Sequence, residues 1–395
     1  MKICFLTVCL LIAVAQSGLS QQNARTPKHK KGGNDINGFL HFDHSMLLEE
    51  KADTTANVSL GDLDGDGHLD ILLVKGRHWP IHDRVLLGDG TGKIRKAYNL
   101  GNISDRSYTG ALADFNGDGS LDIAVSNDDP DHKIIYFNDG KGNFKVASEF
   151  GRPEWSTRNI SIADINRDGL PDIILANRGE SKTSNYICLN TGKGQFGSNC
   201  IPFAPYPTTT ITPADFNNDG FIDLVAPHRD GGQSYIYFGS SDMSYSDAHR
   251  VPFGPPDATI RMAAVADFNS DKLLDIVTID ENKGVYLYLG QKDQTFSEGI
   301  SLADRKIVPY ALTIADLNND KKIDIIVGHI EAPSTIFYNE GTGHFKPVTF
   351  GDSKGTVYGF AIGDFNEDGT PDIAAARSDA PNILYFGNTT LKSRK

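Results

Sequence analysis

The stretch DLDGDGHLD at 62–70 carries aspartate at its first, third, fifth and ninth places, and six close copies follow, opening at Asp114, Asp164, Asp215, Asp267, Asp316 and Asp364. The steps between them are 52, 50, 51, 52, 49 and 48 residues. Such a period requires one supersecondary unit used over and over, each copy burying its apolar face against the next. A chain of 395 residues with 39% hydrophobic content can bury that much core.

Within the unit at 158–197, an apolar strand leads into the acidic loop. The strand DIILAN, a polar loop, the strand NYICLN, the turn TGKG and a last strand opening at Phe196 follow. Short β-rich runs broken by turn residues, with no amphipathic pattern of helical length, predict a four-stranded antiparallel meander. Seven of them predict an all-β, seven-bladed β-propeller of four-stranded blades over residues 37–390. The seventh unit runs out after ILYF at 383–386, while GFLHFDHSMLLEE from Gly38 supplies a spare strand, so the N-terminal strand is expected to close the last blade. An open solenoid would need capping repeats that the sequence does not offer.

Four carboxylates in nine residues repel one another unless a hard cation neutralises them, and the alternating positions let a tight loop turn them inward. Calcium is therefore the expected cofactor, magnesium demanding a tighter octahedron. The expected ligand sets are Asp62, Asp64, Asp66, Asp70; Asp114, Asn116, Asp118, Asp122; Asp164, Asn166, Asp168, Asp172; and Asp215, Asn217, Asp219, Asp223. The remaining three are Asp267, Asn269, Asp271, Asp275; Asp316, Asn318, Asp320, Asp324; and Asp364, Asn366, Asp368, Asp372. Loops five and six have Lys272 and Lys321 where the others have glycine, which predicts weaker or empty sites there. The loops hold 22 aspartates, so the formal charge of −13 reads as ion-binding charge rather than preference for a basic partner. A network of Asx turns without metal is the plainer reading of the same residues.

These seven in-register D-x-[DN]-x-[DN] copies make the chain resemble, over roughly residues 55–390, the FG-GAP or VCBS repeat family. The resemblance implies the propeller of integrin α-subunits, fungal lectins and some polysaccharide lyases, and leaves the choice of function open.

Because each acidic loop joins the first and second strands of a blade, all seven belong to one face, and a ligand site is expected at the opposite mouth. Six residues before each opening Asp stand Ala56, Tyr108, Arg158, Thr209, Arg261, Tyr310 and Tyr358, a set that differs from blade to blade. The expected ligand-binding residues are Arg77, Trp79, Arg158, Arg178, Arg229, Arg261 and Arg377, since guanidinium clamps carboxylate or sulfate and an aromatic face meets a sugar ring. Binding of a glycan or acidic polysaccharide is one reading. A uronate lyase is the second, with His78, His228, His329, Tyr108, Tyr310 and Tyr358 as candidate catalytic acids and bases. An extracellular protein or matrix partner is the third.

Residues 1–20 have the layout of a secretory signal peptide, 21–36 read as a flexible lead-in and 391–395 as a tail, so the protein is expected to be secreted, or periplasmic in a Gram-negative cell. No later stretch reads as a membrane span, and nucleic-acid binding lacks both a recognition helix and a basic surface. Cys188 and Cys200 are the only cysteines beyond the leader and are expected to pair, a local staple worth roughly 3 kcal/mol. N-x-[ST] sites open at Asn57, Asn102, Asn159 and Asn388; the first and third share a first-strand position near the axis, which favours Asn102 and Asn388 as acceptors in a eukaryotic glycoprotein.

Overall fold

The structure, a computed structural model, describes residues 39–179, 184–197 and 200–388; the expected leader, lead-in and tail lie outside the described residues. Strand β1 (His41–Leu47) precedes the first repeat, which is β2 (Asp53–Gly61), β3 (Asp70–Lys75), β4 (Arg84–Gly88) and β5 (Ile94–Asn99). The second repeat is β6 (Ser107–Ala113), β7 (Asp122–Asn127), β8 (Lys133–Asn138) and β9 (Phe144–Phe150). The third is β10 (Thr157–Ala163), β11 (Asp172–Asn177), β12 (Asn185–Cys188) and β13 (Ile201–Phe203), and the fourth β14 (Thr212–Ala214), β15 (Asp223–Ala226), β16 (Gly232–Tyr237) and β17 (Arg250–Ala258). The fifth is β18 (Ile260–Ala266), β19 (Asp275–Asp280), β20 (Gly284–Tyr288) and β21 (Ile300–Asp304), and the sixth β22 (Pro309–Ala315), β23 (Asp324–His329), β24 (Ser334–Gly341) and β25 (His344–Phe350). The seventh supplies β26 (Thr356–Gly363), β27 (Asp372–Ala380) and β28 (Ile383–Asn388).

The second strand of each of the first six repeats is buried along its whole length, which is why DILLVK, DIILAN and DIIVGH read as continuous apolar runs rather than alternating ones. The fourth strand lies at the rim and is mostly exposed, as in β5 and β25. Apolar side chains from facing sheets mesh between repeats. Leu72, Val74 and Val85 of the first meet Leu112, Ile123 and Ile134 of the second in one cluster. Each such fully buried side chain contributes roughly 1.5–3 kcal/mol.

The expectation of seven separate four-stranded blades closed into a ring is corrected by the hydrogen bonding. Among the described residues there are six sheets, five of four strands and one of eight, the latter ordered β1-β28-β27-β2-β3-β4-β5 with β26 also on β27. The cause is strand length: β27 runs nine residues where β3 and β7 run six, and its added end pairs Ser378 with Thr54 and Ala380 with Asp53 of β2. Strand β1 lies antiparallel to β28, with Ser45 opposite Tyr385. The architecture is all-β, propeller-like and built from repeats. In the third repeat, where β13 has only three residues, a Cys188–Cys200 disulfide ties the end of β12 to the residue before β13.

Candidate functional site

The residues six before each acidic loop are delivered by a backbone device that periodicity alone does not reveal. In six repeats the pairing of first and second strands slips by one residue near the start of the first strand. Thr55 faces Lys75 and Asn57 faces Val74, leaving Ala56 as the extra residue. The same slip singles out Tyr108, Arg158, Arg261, Tyr310 and Tyr358. A β-bulge bends the strand and re-aims the unpaired side chain. All six residues, with Thr209 of the fourth repeat, line a single cavity of about 190 Å³ to which every repeat contributes.

That cavity inverts the charge of the molecule. Among the described residues its walls hold Arg77, Arg158, Arg178, Arg261, His78 and three tyrosines, and no carboxylate, although the chain as a whole carries −13. Three of the arginines lie over tyrosine rings: Arg77 over Tyr358 at 4.2 Å, Arg158 over Tyr108 at 4.4 Å and Arg261 over Tyr310 at 3.5 Å. The Tyr310 and Tyr358 hydroxyls are 3.3 Å apart, so the series Arg77, Tyr358, Tyr310, Arg261 is continuous. Carboxylates stand behind the wall, Asp128 2.6 Å from Arg158, Asp230 2.9 Å from Arg178, and Glu281 between Arg229 at 2.7 Å and Arg261 at 3.1 Å. Such pairing fixes the guanidinium groups in place. The hydroxyls of Thr209 and Thr210, also on the wall, are buried without a protein partner.

Protonation follows from this environment. Partial burial and the Arg158 charge lower the pKa of His78, whose Nε2 sits 3.2 Å from the Tyr108 hydroxyl, so the imidazole is neutral at neutral pH. Burial raises the phenols of Tyr108 and Tyr358 and keeps them protonated. Both tyrosines are therefore hydrogen-bond donors rather than bases.

The expected site residues separate into two groups. His78, Tyr108, Tyr310, Tyr358, Arg77, Arg158, Arg178 and Arg261 meet at the cavity, whereas His228, His329, Trp79, Arg229 and Arg377 are not in its wall. His228 stacks on Tyr206 at 4.8 Å, and His329 is buried with Nδ1 2.8 Å from the Pro333 carbonyl. Arg377 is buried against Asp352 and donates to the Pro381 carbonyl. Trp79 is exposed and touches the edge of His78. Asn57 and Asn159 line the cavity, and Asn102 is exposed. The offset of six places Thr209 in the ring, but nothing in the sequence marks its hydroxyl or that of Thr210 as buried without a partner.

At the other end of the same strands the seven loops share one geometry. Asp114 Oδ1 accepts from the N–H groups of Gly117 (2.8 Å) and Asp118 (3.0 Å), and Oδ2 from Gly119 (2.8 Å). Asp122 accepts from Phe115 N–H within the loop (3.1 Å) and from Asn138 N–H at the end of β8 (2.9 Å). The ninth aspartate repeats this double tie in every loop, so it is a strut between loop and third strand as well as an expected ligand. Burial raises these carboxyls from 3.8 to about 7, or about 6 for Asp172, a state that a bound cation would relieve. Loop one fits a metal ion best. Oxygens of Asp62, Asp64 and Asp70 converge within 4.8 Å, and Asp64 Oδ1 is buried without a partner. Arg95 donates to Asp64 and, at 2.8 Å, to Asp66. In the other loops the third residue is asparagine and its Nδ2 donates to the fifth aspartate, 2.9 Å for Asn116 to Asp118.

The model of the FG-GAP-like repeat family matches residues 62–125, 114–175, 164–226, 215–278, 267–327 and 316–375. A human protein, phosphatidylinositol-glycan-specific phospholipase D, is 30% identical over 154 residues, a stretch covering 31% of this chain and 18% of that protein. The chain thus spans under a fifth of that relative's length. Among solved structures, the BP39L lectin of Burkholderia pseudomallei superposes with a TM-score of 0.64 at 10% identity, covering 86% of this chain and 98% of the lectin. BBS1N in complex with ARL6DN superposes with a TM-score of 0.57 at 13% identity, over 89% and 97%. Likeness at that identity concerns the fold. Among the described residues no helix is long and apolar enough to cross a membrane.

Proposed function

Since the chain belongs to the FG-GAP-like repeat family, we propose that it is a secreted, calcium-stabilised module that binds an acidic glycan in the axial cavity. The observation that carries this reading is the cavity wall: four arginines, three tyrosine hydroxyls and two unpartnered threonine hydroxyls, with no carboxylate, in a chain of strongly negative charge. Guanidinium groups held in place by carboxylates behind them pair with a sugar's anionic group, and the hydroxyls serve its ring oxygens. Fold likeness does not choose the partner, since one similar structure is a lectin and another is a complex with a protein. Secretion rests on the pattern of residues 1–20. For calcium, Asp62, Asp64 and Asp70 would hold the ion, whose charge offsets their mutual repulsion.

A lyase is the second reading, favoured by the His78–Tyr108 contact, because a neutral imidazole beside a phenol can accept a proton. Two assays separate the readings. Acidic and neutral oligosaccharides are screened for binding to the wild type and to Arg158→Ala. Retention of acidic oligosaccharides by the wild type, at least tenfold weaker in the variant, is expected. Appearance of an unsaturated-uronate absorbance on incubation would favour the lyase, and absence of any glycan binding would discard the glycan reading.

A further inference from the structure

Arg77 stands apart from the other arginines of the cavity. Arg158, Arg178 and Arg261 each have a carboxylate partner, whereas Arg77 has none among the described residues. Its guanidinium lies over Tyr358 and gives one hydrogen bond, from Nη1 to Ser378 Oγ at 2.9 Å, which leaves the Nε–Nη2 edge without a partner. Its backbone is also unusual. Arg77 has φ 56°, in the left-handed region that favours glycine, within a turn closed by Trp79 N–H to the Gly76 carbonyl at 3.0 Å. A Cβ on Gly76 would lie 2.5 Å from the Asp105 carbonyl oxygen and 2.6 Å from that of Trp79, so the turn takes only glycine at that position.

We infer that Arg77 is the residue that selects the ligand, and that the ligand inserts one sugar bearing a single carboxylate, a uronate. The inference rests on the glycan-binding reading above. The free guanidinium edge presents two parallel N–H groups, which match the two oxygens of a planar carboxylate. A cavity of about 190 Å³ is small against the several hundred of a drug-sized site and suits one sugar residue rather than a polymer segment. Among the described residues Arg77 alone of the wall arginines lacks a carboxylate, the charges of Arg158, Arg178 and Arg261 being already offset by Asp128, Asp230 and Glu281 behind the wall, so the many negative charges of a densely sulfated chain find too few free cations. Trp79, two residues on and exposed beside His78, is placed at the rim for the next sugar.

The test is titration calorimetry of the full chain with six probes: oligomers of galacturonate, of glucuronate and of mannuronate, a neutral galactan oligomer, a methyl-esterified oligogalacturonate and a heparin-derived oligosaccharide. Arg77→Gly and Arg77→Lys are compared with the wild type, with thermal melting recorded for each. Glycine fits φ 56°, so Arg77→Gly should melt within a few degrees of the wild type. We expect at least one uronate oligomer to bind, at least tenfold more tightly than its neutral, esterified or sulfated counterparts, and to lose at least tenfold in Arg77→Gly. Lysine should restore only part of the affinity, because the charge returns without the planar fork. Uronate binding that is unchanged in Arg77→Gly, or tighter binding of the sulfated probe, would overturn the inference while leaving the cavity as a glycan site. No binding of any probe by the wild type would overturn both.

Discussion

The two ends of the first strands show opposite uses of one repeat. At the loop end the seven copies converge: the first aspartate always accepts the N–H of the sixth residue, the ninth always bridges the loop and the third strand, and the sixth position is left-handed throughout, from Gly119 at φ 91° to Lys321 at φ 68°. At the axial end the backbone again repeats, through the bulge, but the side chain it presents changes from alanine to tyrosine to arginine. Uniformity where the backbone must turn, and variety where a side chain is merely displayed, is what a scaffold carrying a site requires.

If the ninth aspartate is first of all a strut, its loss should cost the same whether or not the loop suits an ion. Asp275→Ala, in a loop with lysine at the sixth place, removes the acceptor of the Phe268 and Gly290 N–H groups at 2.8 and 2.9 Å. One buried and one half-buried donor left unsatisfied predict a loss of about 3 kcal/mol. Asp122→Ala, in a glycine-bearing loop, should lose the same within about 1 kcal/mol when unfolding by denaturant is measured in chelator. A much larger loss for Asp122→Ala alone would mean that even without metal the two loops are built differently.

Metal addition sharpens the same contrast. Calcium at a hundred times its dissociation constant should stabilise by about 2.7 kcal/mol per occupied site. The pH dependence gives its signature. The ninth carboxyls titrate at about 7 in the folded chain against 3.8 as the ordinary value, so between those limits the folded form holds protons that the unfolded chain has released. Stability in chelator should therefore fall as pH rises from about 4 to about 7. A cation replaces the proton, so saturating calcium should remove much of that fall. Melting curves in chelator that are flat across this range would show that the carboxyls are not desolvated as the structure has them.

How far the sequence speaks follows from the same two ends. The loops were legible because Asp, Asn and Gly recur at fixed offsets, each for a local reason. The double role of the ninth aspartate was not, because its second partner, such as Asn138 N–H for Asp122, is a strand away. At the axial end the offset of six picked out the ring, yet a bulge breaks the period-two alternation, and only the register shows why Tyr108 and Arg158 turn inward. His228, His329, Arg229 and Arg377 follow the closing aspartate at offsets similar to those of Arg77, His78 and Arg178, yet they end in stacking, hydrogen bonds or ion pairs outside the wall, a difference set by partners distant in sequence that the offset does not carry. The fused eight-stranded sheet was invisible because nothing in SDA at 378–380 marks a second strand as three residues longer than its fellows.

The smallest predicted effect tests why two loops depart from the rule. A Cβ at Gly119 meets nothing within 4 Å, so space does not demand glycine at the sixth position; the backbone does. Lys321 adopts φ 68° and its N–H still reaches Asp316 Oδ2 at 2.8 Å, so the lysine pays in strain for the same turn. Lys321→Gly relieves that strain and loses some of it again to the greater freedom of glycine in the unfolded chain, which leaves a gain of under ~1 kcal/mol. It also removes a positive charge beside the carboxylates, so the rise in melting temperature on adding calcium should grow in Lys321→Gly and shrink in the reverse change, Gly119→Lys. If both variants respond to calcium as the wild type does, the sixth position does not tune the ion, and the loop end is as uniform in its chemistry as it is in its backbone.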